Sequence, residues 1–359
     1  MKTFYNSKKI LKLFNIFVPE KQEDINSFSE KVNKLINPVI KQLLTSYVDK
    51  KNKEVVFYQI EVGGKRLRPA LAMICCKMLR GKIKDVIYPA AGLEILHNYS
   101  LIIDDIIDNS QKRRGEPTCW VKFGSSVSQC IGVDYSAAIF QSAKNSKDPT
   151  KISEIFSTTL KEIVDGEIMD MLFEQRGREN EPYIVKNRYK KINEKDYLYM
   201  INKKTSALFR SCCEIGGICA DANQKQLEAL REYGLNIGIA FQVKDDILDI
   251  FGKERKFGKK IGKDIMERKR GNIVVLLALK QLNSSDKNEL SEILKKDRIS
   301  RKNVKKAVAI IEKTNAKNLA FQFGEKYIQK AKDNLDLLPH NKWNQILKQL
   351  TEFTLTREK

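Results

Sequence analysis

Six aspartates in two groups are the residues of this chain best suited to do chemistry. Asp104-Asp105-Ile106-Ile107-Asp108 and Asp245-Asp246-Ile247-Leu248-Asp249 share the spacing Asp-Asp-x-x-Asp. Residues four apart lie on one face of a helix, so Asp104 joins Asp108 and Asp245 joins Asp249. Carboxylates crowded on one face repel each other unless a cation sits between them. A hard divalent cation fits, and Mg²⁺ keeps several waters while bridging to a phosphate. Two such faces opposed across a cavity would hold a diphosphate through metal ions. A single cluster also fits a solvated acidic patch. The flanks argue against that reading. Leu101, Ile102 and Ile103 precede the first cluster, and Ile250 and Phe251 follow the second. Charges set in apolar sequence are expensive to bury without partners, and here the arrangement occurs twice.

Long helices must carry these faces. Apolar residues recur at three- and four-residue spacing from Val86 to Asp108 and from Gln226 to Asp249. Gly (18) and Pro (8) are sparse among 359 residues, and strand-like alternation is scarce. The expectation is an all-α protein, one large helical domain over residues 21–359 around a central cavity, although the length also allows two smaller domains. The stretches 145–151, 176–194, 252–263 and 283–303 read as polar breaks. No regular repeat is present.

The net charge of +21, from 66 Lys+Arg against 45 Asp+Glu, favours anionic partners. Lysine is spread along the chain without aromatic interleaving, zinc-finger spacing or an RNA-binding signature, which argues against nucleic acid. Seven cysteines without a C-x-x-C read as reduced thiols in a cytoplasmic protein. Two histidines exclude a histidine-rich metal site. No apolar run reaches membrane-spanning length. Residues 1–20 mix lysines with Leu, Ile and Phe and lack a small-residue cleavage site. They read as an N-terminal extension, an amphipathic helix that packs on its own domain or lies on a membrane as a peripheral contact.

Basic motifs accompany the aspartates: Gly63-Gly64-Lys65-Arg66-Leu67-Arg68-Pro69, Arg113-Arg114-Gly115, Lys203-Lys204-Thr205, and Gly258 to Asp264 followed by Lys269. Glycine permits close backbone approach and arginine offers a planar fork to phosphate. Taken in order, GGKRLRP, DDIID with RRGEPT, KKTSALF, and FQVKDDILD with GKKIGKD resemble the trans-isoprenyl diphosphate synthases. The ending TLTREK resembles that family's C-terminus.

The resemblance implies the isoprenoid synthase fold, with helices around a deep central cavity and the two clusters facing each other. It implies a homodimer and three Mg²⁺ ions, held directly by Asp104, Asp108 and Asp245, with Asp246 and Asp249 acting through water and Asp105 belonging to the same metal-binding motif. Arg113, Lys204, Lys259 and Lys269 would grip an allylic diphosphate (dimethylallyl, geranyl or farnesyl). Lys65, Arg68, His97 and Arg114 would grip isopentenyl diphosphate. The Lys204 carbonyl, Thr205 hydroxyl and Gln242 amide oxygen would steady the allylic cation, and the released diphosphate would accept the proton.

Tyr99, five residues before the first cluster, would set product length as a cavity floor, about 7–8 Å deeper along the helix; a tyrosine simply packed between helices is the other reading. Two residues between the first cluster's aspartates, with an aromatic at that position, resemble the archaeal-type geranylgeranyl diphosphate synthases. Farnesyl or geranylfarnesyl products are the alternatives. Ile103, Glu167, Arg268, Gly271 and Val133 depart from the family's usual residues. The GGKRLRP motif argues against a class I terpene cyclase, which needs no second diphosphate site. The two complete clusters argue against a noncatalytic subunit.

Overall fold

A computed structural model describes residues 25–252 and 262–358. The N-terminal extension and Lys259 lie outside the described residues. Contacts divide the chain into two compact units. The first comprises the chain up to Leu160, Ser211–Arg231 and Leu338–Gln345. The second comprises Lys161–Arg210, Glu232–Leu337 and Ile346 onward.

Among the described residues both units are helical, and the strands are the two-residue pair Lys112–Arg113 (β1) and Glu116–Pro117 (β2), antiparallel with Arg113 opposite Glu116. The first unit is built on α1 (Ile25–Thr45), α2 (Lys53–Glu61), α3 (Leu67–Met78), α4 (Ile83–Ile107), α5 (Cys119–Phe123) and α6 (Ser125–Lys144), with the start of α7 (Pro149–Leu172). Helix α4 packs against α1, α3 and α6. It is apolar on every side over most of its length, and Val86, Ala90, Ala91, Leu93, Ile95 and Leu96 are fully buried, as a central helix requires. By length and composition α4 could cross a membrane, which the sequence reading had excluded for every apolar run. The 67% burial of its most apolar stretch shows a core helix instead.

The second unit holds α8 (Pro182–Asn187), α9 (Glu194–Ile201), a π-helical turn (Asn202–Ser206), the start of α10 (Ala207–Ile218), and most of α11 (Gln224–Phe251). It continues through α12 (Lys263–Met266), α13 (Ile273–Gln281), α14 (Ser284–Leu294), α15 (Arg301–Glu312), α16 (Ala316–Asp336) and the greater part of α17 (Lys342–Thr356). Its core gathers Phe173, Tyr197, Val243, Ile247, Ile265, Val274, Leu294, Ile311 and Leu355. Of the polar breaks, 176–194 contains the short helix α8, and 283–303 contains α14. The capping residue Asn283, which accepts from the Asp286 N–H at 2.9 Å, makes that second start.

A buried ion pair fixes the loop between α2 and α3. Arg66 stands in the left-handed region (φ 49°). It donates to Glu94 Oε1 at 2.9 Å, Asn37 Oδ1 at 3.1 Å and the Ile60 carbonyl at 2.9 Å. Arg66 and Glu94 are each 2% exposed. The middle cation of GGKRLRP is therefore structural, which leaves Lys65 and Arg68 on either side of it. Removing one partner of such a pair strands a buried charge. Glu94→Ala should lose about 3–5 kcal/mol of unfolding free energy in denaturant titration; a loss below about 1 kcal/mol would show that the loop does not depend on it.

Candidate active site

The first cluster occupies the last turn of α4. The C-terminal end of a helix carries partial negative charge, an unfavourable place for carboxylates. Arg113 answers it from β1, donating to Asp104 Oδ2 at 3.0 Å and to both oxygens of Asp105 at 2.8 Å. Asp105 is buried, whereas Asp104 and Asp108 are partly exposed. Arg114 has φ 54° and turns the hairpin, so that its guanidinium lies beside Gly64. Lys65 is exposed and Arg68, in the first turn of α3, is half-buried. Burial, and then Arg68, Arg114 and the other arginines, hold the His97 imidazole well below its usual value and so uncharged at neutral pH. This crowd of cations is an anion site by its electrostatics. Tyr99 and Ile103 lie against α6 where Gly132 leaves room: an added Cβ would sit 3.4 Å from the Tyr99 ring and 3.3 Å from Ile103.

The second cluster lies in the last two turns of α11, again at a helix C-terminus. Its three aspartates have different roles. Asp246 is buried and accepts from the Tyr197 hydroxyl, the Ile273 N–H and the Gln242 amide, each at 2.9 Å. It thus sits at the N-terminus of α13, which Asn272 caps. Asp249 accepts from the Lys263 and Asp264 N–H groups at 3.0 and 3.2 Å. Burial, and then the nearby Asp264 carboxylate, push the Asp249 carboxyl up. Asp245 is partly exposed and pairs with Arg357 at 2.5 Å.

The mid-chain lysines meet a carboxylate that sequence reading passed over. Lys204 Nζ lies 2.6 Å from Asp170 and 2.8 Å from Glu167, while Lys269 Nζ lies 2.9 Å from Asp170 and 3.1 Å from Glu267. An antiparallel bridge between Glu174 and Lys269 places the second lysine. Lys204 and Thr205 belong to the π-helical turn, whose wider winding disturbs the regular carbonyl pairing. Gly166 of α7 backs the turn: an added Cβ would be 2.3 Å from the Lys204 nitrogen. Thr205 donates to Gln242 Oε1 at 2.8 Å, and the Gln242 amide donates on to Asp246, so one chain of hydrogen bonds orients all three. Asp170, Asp264, Asn272 and Arg357 were missed as site residues. The spacing of Glu167 and Asp170 and the terminal TREK were the available signals.

Comparison with known proteins gives the family. The sequence profile of the polyprenyl synthetases matches residues 49–311. The short chain isoprenyl diphosphate synthase of Methanocaldococcus jannaschii is 37% identical over 278 residues, 76% of this chain and 80% of that one. The geranylgeranyl diphosphate synthase of Saccharolobus solfataricus is 33% identical over 345 residues, 94% of this chain and 99% of its own. A polyprenyl synthase of Caulobacter crescentus, crystallised with calcium and isoprenyl diphosphate, superposes with a TM-score of 0.83 at 27% identity, covering 95% of this chain and 100% of that one. The chain belongs to the polyprenyl synthetase family and has its isoprenoid synthase fold. It is a prenyltransferase, a short-chain trans-prenyl diphosphate synthase; enzymes of this family join isopentenyl diphosphate to an allylic diphosphate.

The partly exposed carboxylates of each unit, Asp104 and Asp108 in the first and Asp245 in the second, offer the oxygen donors that Mg²⁺ takes. Among the described residues no three acidic, histidine or cysteine side chains converge into a metal cage.

Burial pushes the Asp170 carboxyl up, but Lys204 and Lys269 together overcome it and hold it well below the usual carboxylate range. A carboxyl lowered by folding stabilises the fold above its unfolded value, and that stabilisation is lost as pH falls. Asp170→Asn should therefore be less stable than the parent at pH 7, with the gap narrowing below about pH 5 in denaturant titrations. A gap independent of pH would refute the ionised assignment.

Proposed function

We propose that this enzyme makes geranylgeranyl diphosphate, elongating a dimethylallyl, geranyl or farnesyl primer with isopentenyl diphosphate. The observation that carries the product length is Tyr99. It stands on α4, the helix that bears Asp104, five residues or about 7–8 Å of helix rise before it, and its ring lies against Gly132. A bulky ring there stops the growing chain. The 33% identity to a geranylgeranyl diphosphate synthase over nearly the whole chain supports the reading.

In this reading Asp104, Asp108 and Asp245 are the Mg²⁺ ligands, and Asp105, Asp246 and Asp249 belong to the same motifs. Those ligands would hold Mg²⁺, whose chemistry there would be to neutralise charge developing on a diphosphate leaving group. Arg113, Lys204, Lys259 and Lys269 take up the allylic diphosphate. Lys65, Arg68, Arg114 and uncharged His97 bind the diphosphate of isopentenyl diphosphate. The Lys204 carbonyl, the Thr205 hydroxyl and the Gln242 amide oxygen direct partial negative charge toward the allylic cation, and the Thr205–Gln242 bond fixes their orientation. Isopentenyl diphosphate's double bond attacks that cation. The proton then lost passes to the departed diphosphate. Residues 21–359 act as one synthase domain, and the enzyme works as a cytoplasmic homodimer. Seven free thiols support a reducing compartment.

Labelled isopentenyl diphosphate, incubated with each primer and followed by sizing of the products, tests the whole reading; a dominant twenty-carbon product is expected. Asp104→Ala or Asp245→Ala should lower kcat/KM by roughly 10²–10³-fold, the loss typical of a group that stabilises developing charge. Near-normal turnover by either variant would refute its assignment. Tyr99→Ala should shift the products to longer chains on chromatography, and an unchanged spectrum would remove Tyr99 as the floor.

A further inference from the structure

We infer that Arg357 is a latch on the second aspartate cluster: it pairs with Asp245 and competes with a divalent cation for that carboxylate, so that cation binding must displace it. This rests on the reading of Asp245 as a metal ligand.

Arg357 follows directly after α17, and its backbone N–H still donates to the Phe353 carbonyl at 2.9 Å. Its Nη2 lies 2.5 Å from Asp245 Oδ1 and 3.2 Å from the Phe241 carbonyl, and its guanidinium rests 4.1 Å from the centre of the Phe241 ring. The side chain is 9% exposed, against 31% for Asp245. The carboxylate therefore opens to solvent while the arginine covers its inner side.

Arg357 differs from a purely structural arginine. Arg66 engages Nε and both terminal nitrogens, whereas the Arg357 Nε is buried with no hydrogen-bond partner among the described residues. A cation arriving at Asp245 meets a guanidinium already on one of its two carboxylate oxygens, so part of its binding energy goes to displacing it.

The test uses the full chain, Mn²⁺ as an observable divalent probe, and inorganic diphosphate at fixed saturating concentration. Free Mn²⁺ is read by electron paramagnetic resonance. Arg357→Gln should bind Mn²⁺ more tightly than the parent by roughly 3- to 10-fold, the range expected for giving up a partly exposed ion pair. Arg357→Lys should fall between them. Equal or weaker affinity in a folded Arg357→Gln would overturn the latch. The parent enzyme gives an independent measurement, amide exchange at residues 354–358. Exchange should quicken when Mg²⁺ and diphosphate are added together, and unchanged or slower exchange would overturn the proposal. Undiminished Mn²⁺ binding by Asp245→Asn would instead overturn the metal reading of Asp245, and the latch with it.

Discussion

Carboxylates placed at the negative ends of helices are the constraint on which this protein turns. The first cluster closes α4 and the second closes α11. Each combines mutual repulsion between neighbouring acids with the unfavourable end of a helix dipole. Positive charge must come from elsewhere. Arg113 supplies it in the first unit and Arg357 in the second. Both arginines arrive from outside the helix that carries the acids. The repulsion between like charges is thereby offset within each unit.

The second unit adds a division of labour within one motif. Asp246 turns inward to the start of α13, Asp249 binds the start of α12, and Asp245 remains accessible. Two of the three acids thus tie the end of α11 to the following helices, and their hydrogen bonds fix where the third one stands. The same economy appears at Asp170, where one buried carboxylate holds two lysines from separate segments within 3 Å. In the proposed reading those ammonium groups are pre-positioned for the diphosphate, so their ordering need not be achieved on binding.

Much of this could be read in the chain. The helical class followed from apolar spacing, and the six aspartates and most of the cations followed from motif order. What spacing could not show was direction. Asp104, Asp105 and Asp108 look equivalent in sequence, yet Asp105 points into the fold, because residues one apart on a helix differ by about 100°. Arg66, between Lys65 and Arg68, looks like a third phosphate ligand until Glu94, 28 residues away, is seen to claim it. The pairing of Asp170 and of Arg357 was hidden for the same reason: their partners lie 34 and 112 residues distant. Such pairings belong to tertiary structure and have no local period.

Gly166 has a consequence for anyone who wishes to redesign this enzyme. With the Lys204 backbone so close, even a methyl group at 166 would force the π-helical turn to rewind. Rewinding would swing a carbonyl, a hydroxyl and an ammonium group together. Mutational libraries should therefore leave that contact untouched.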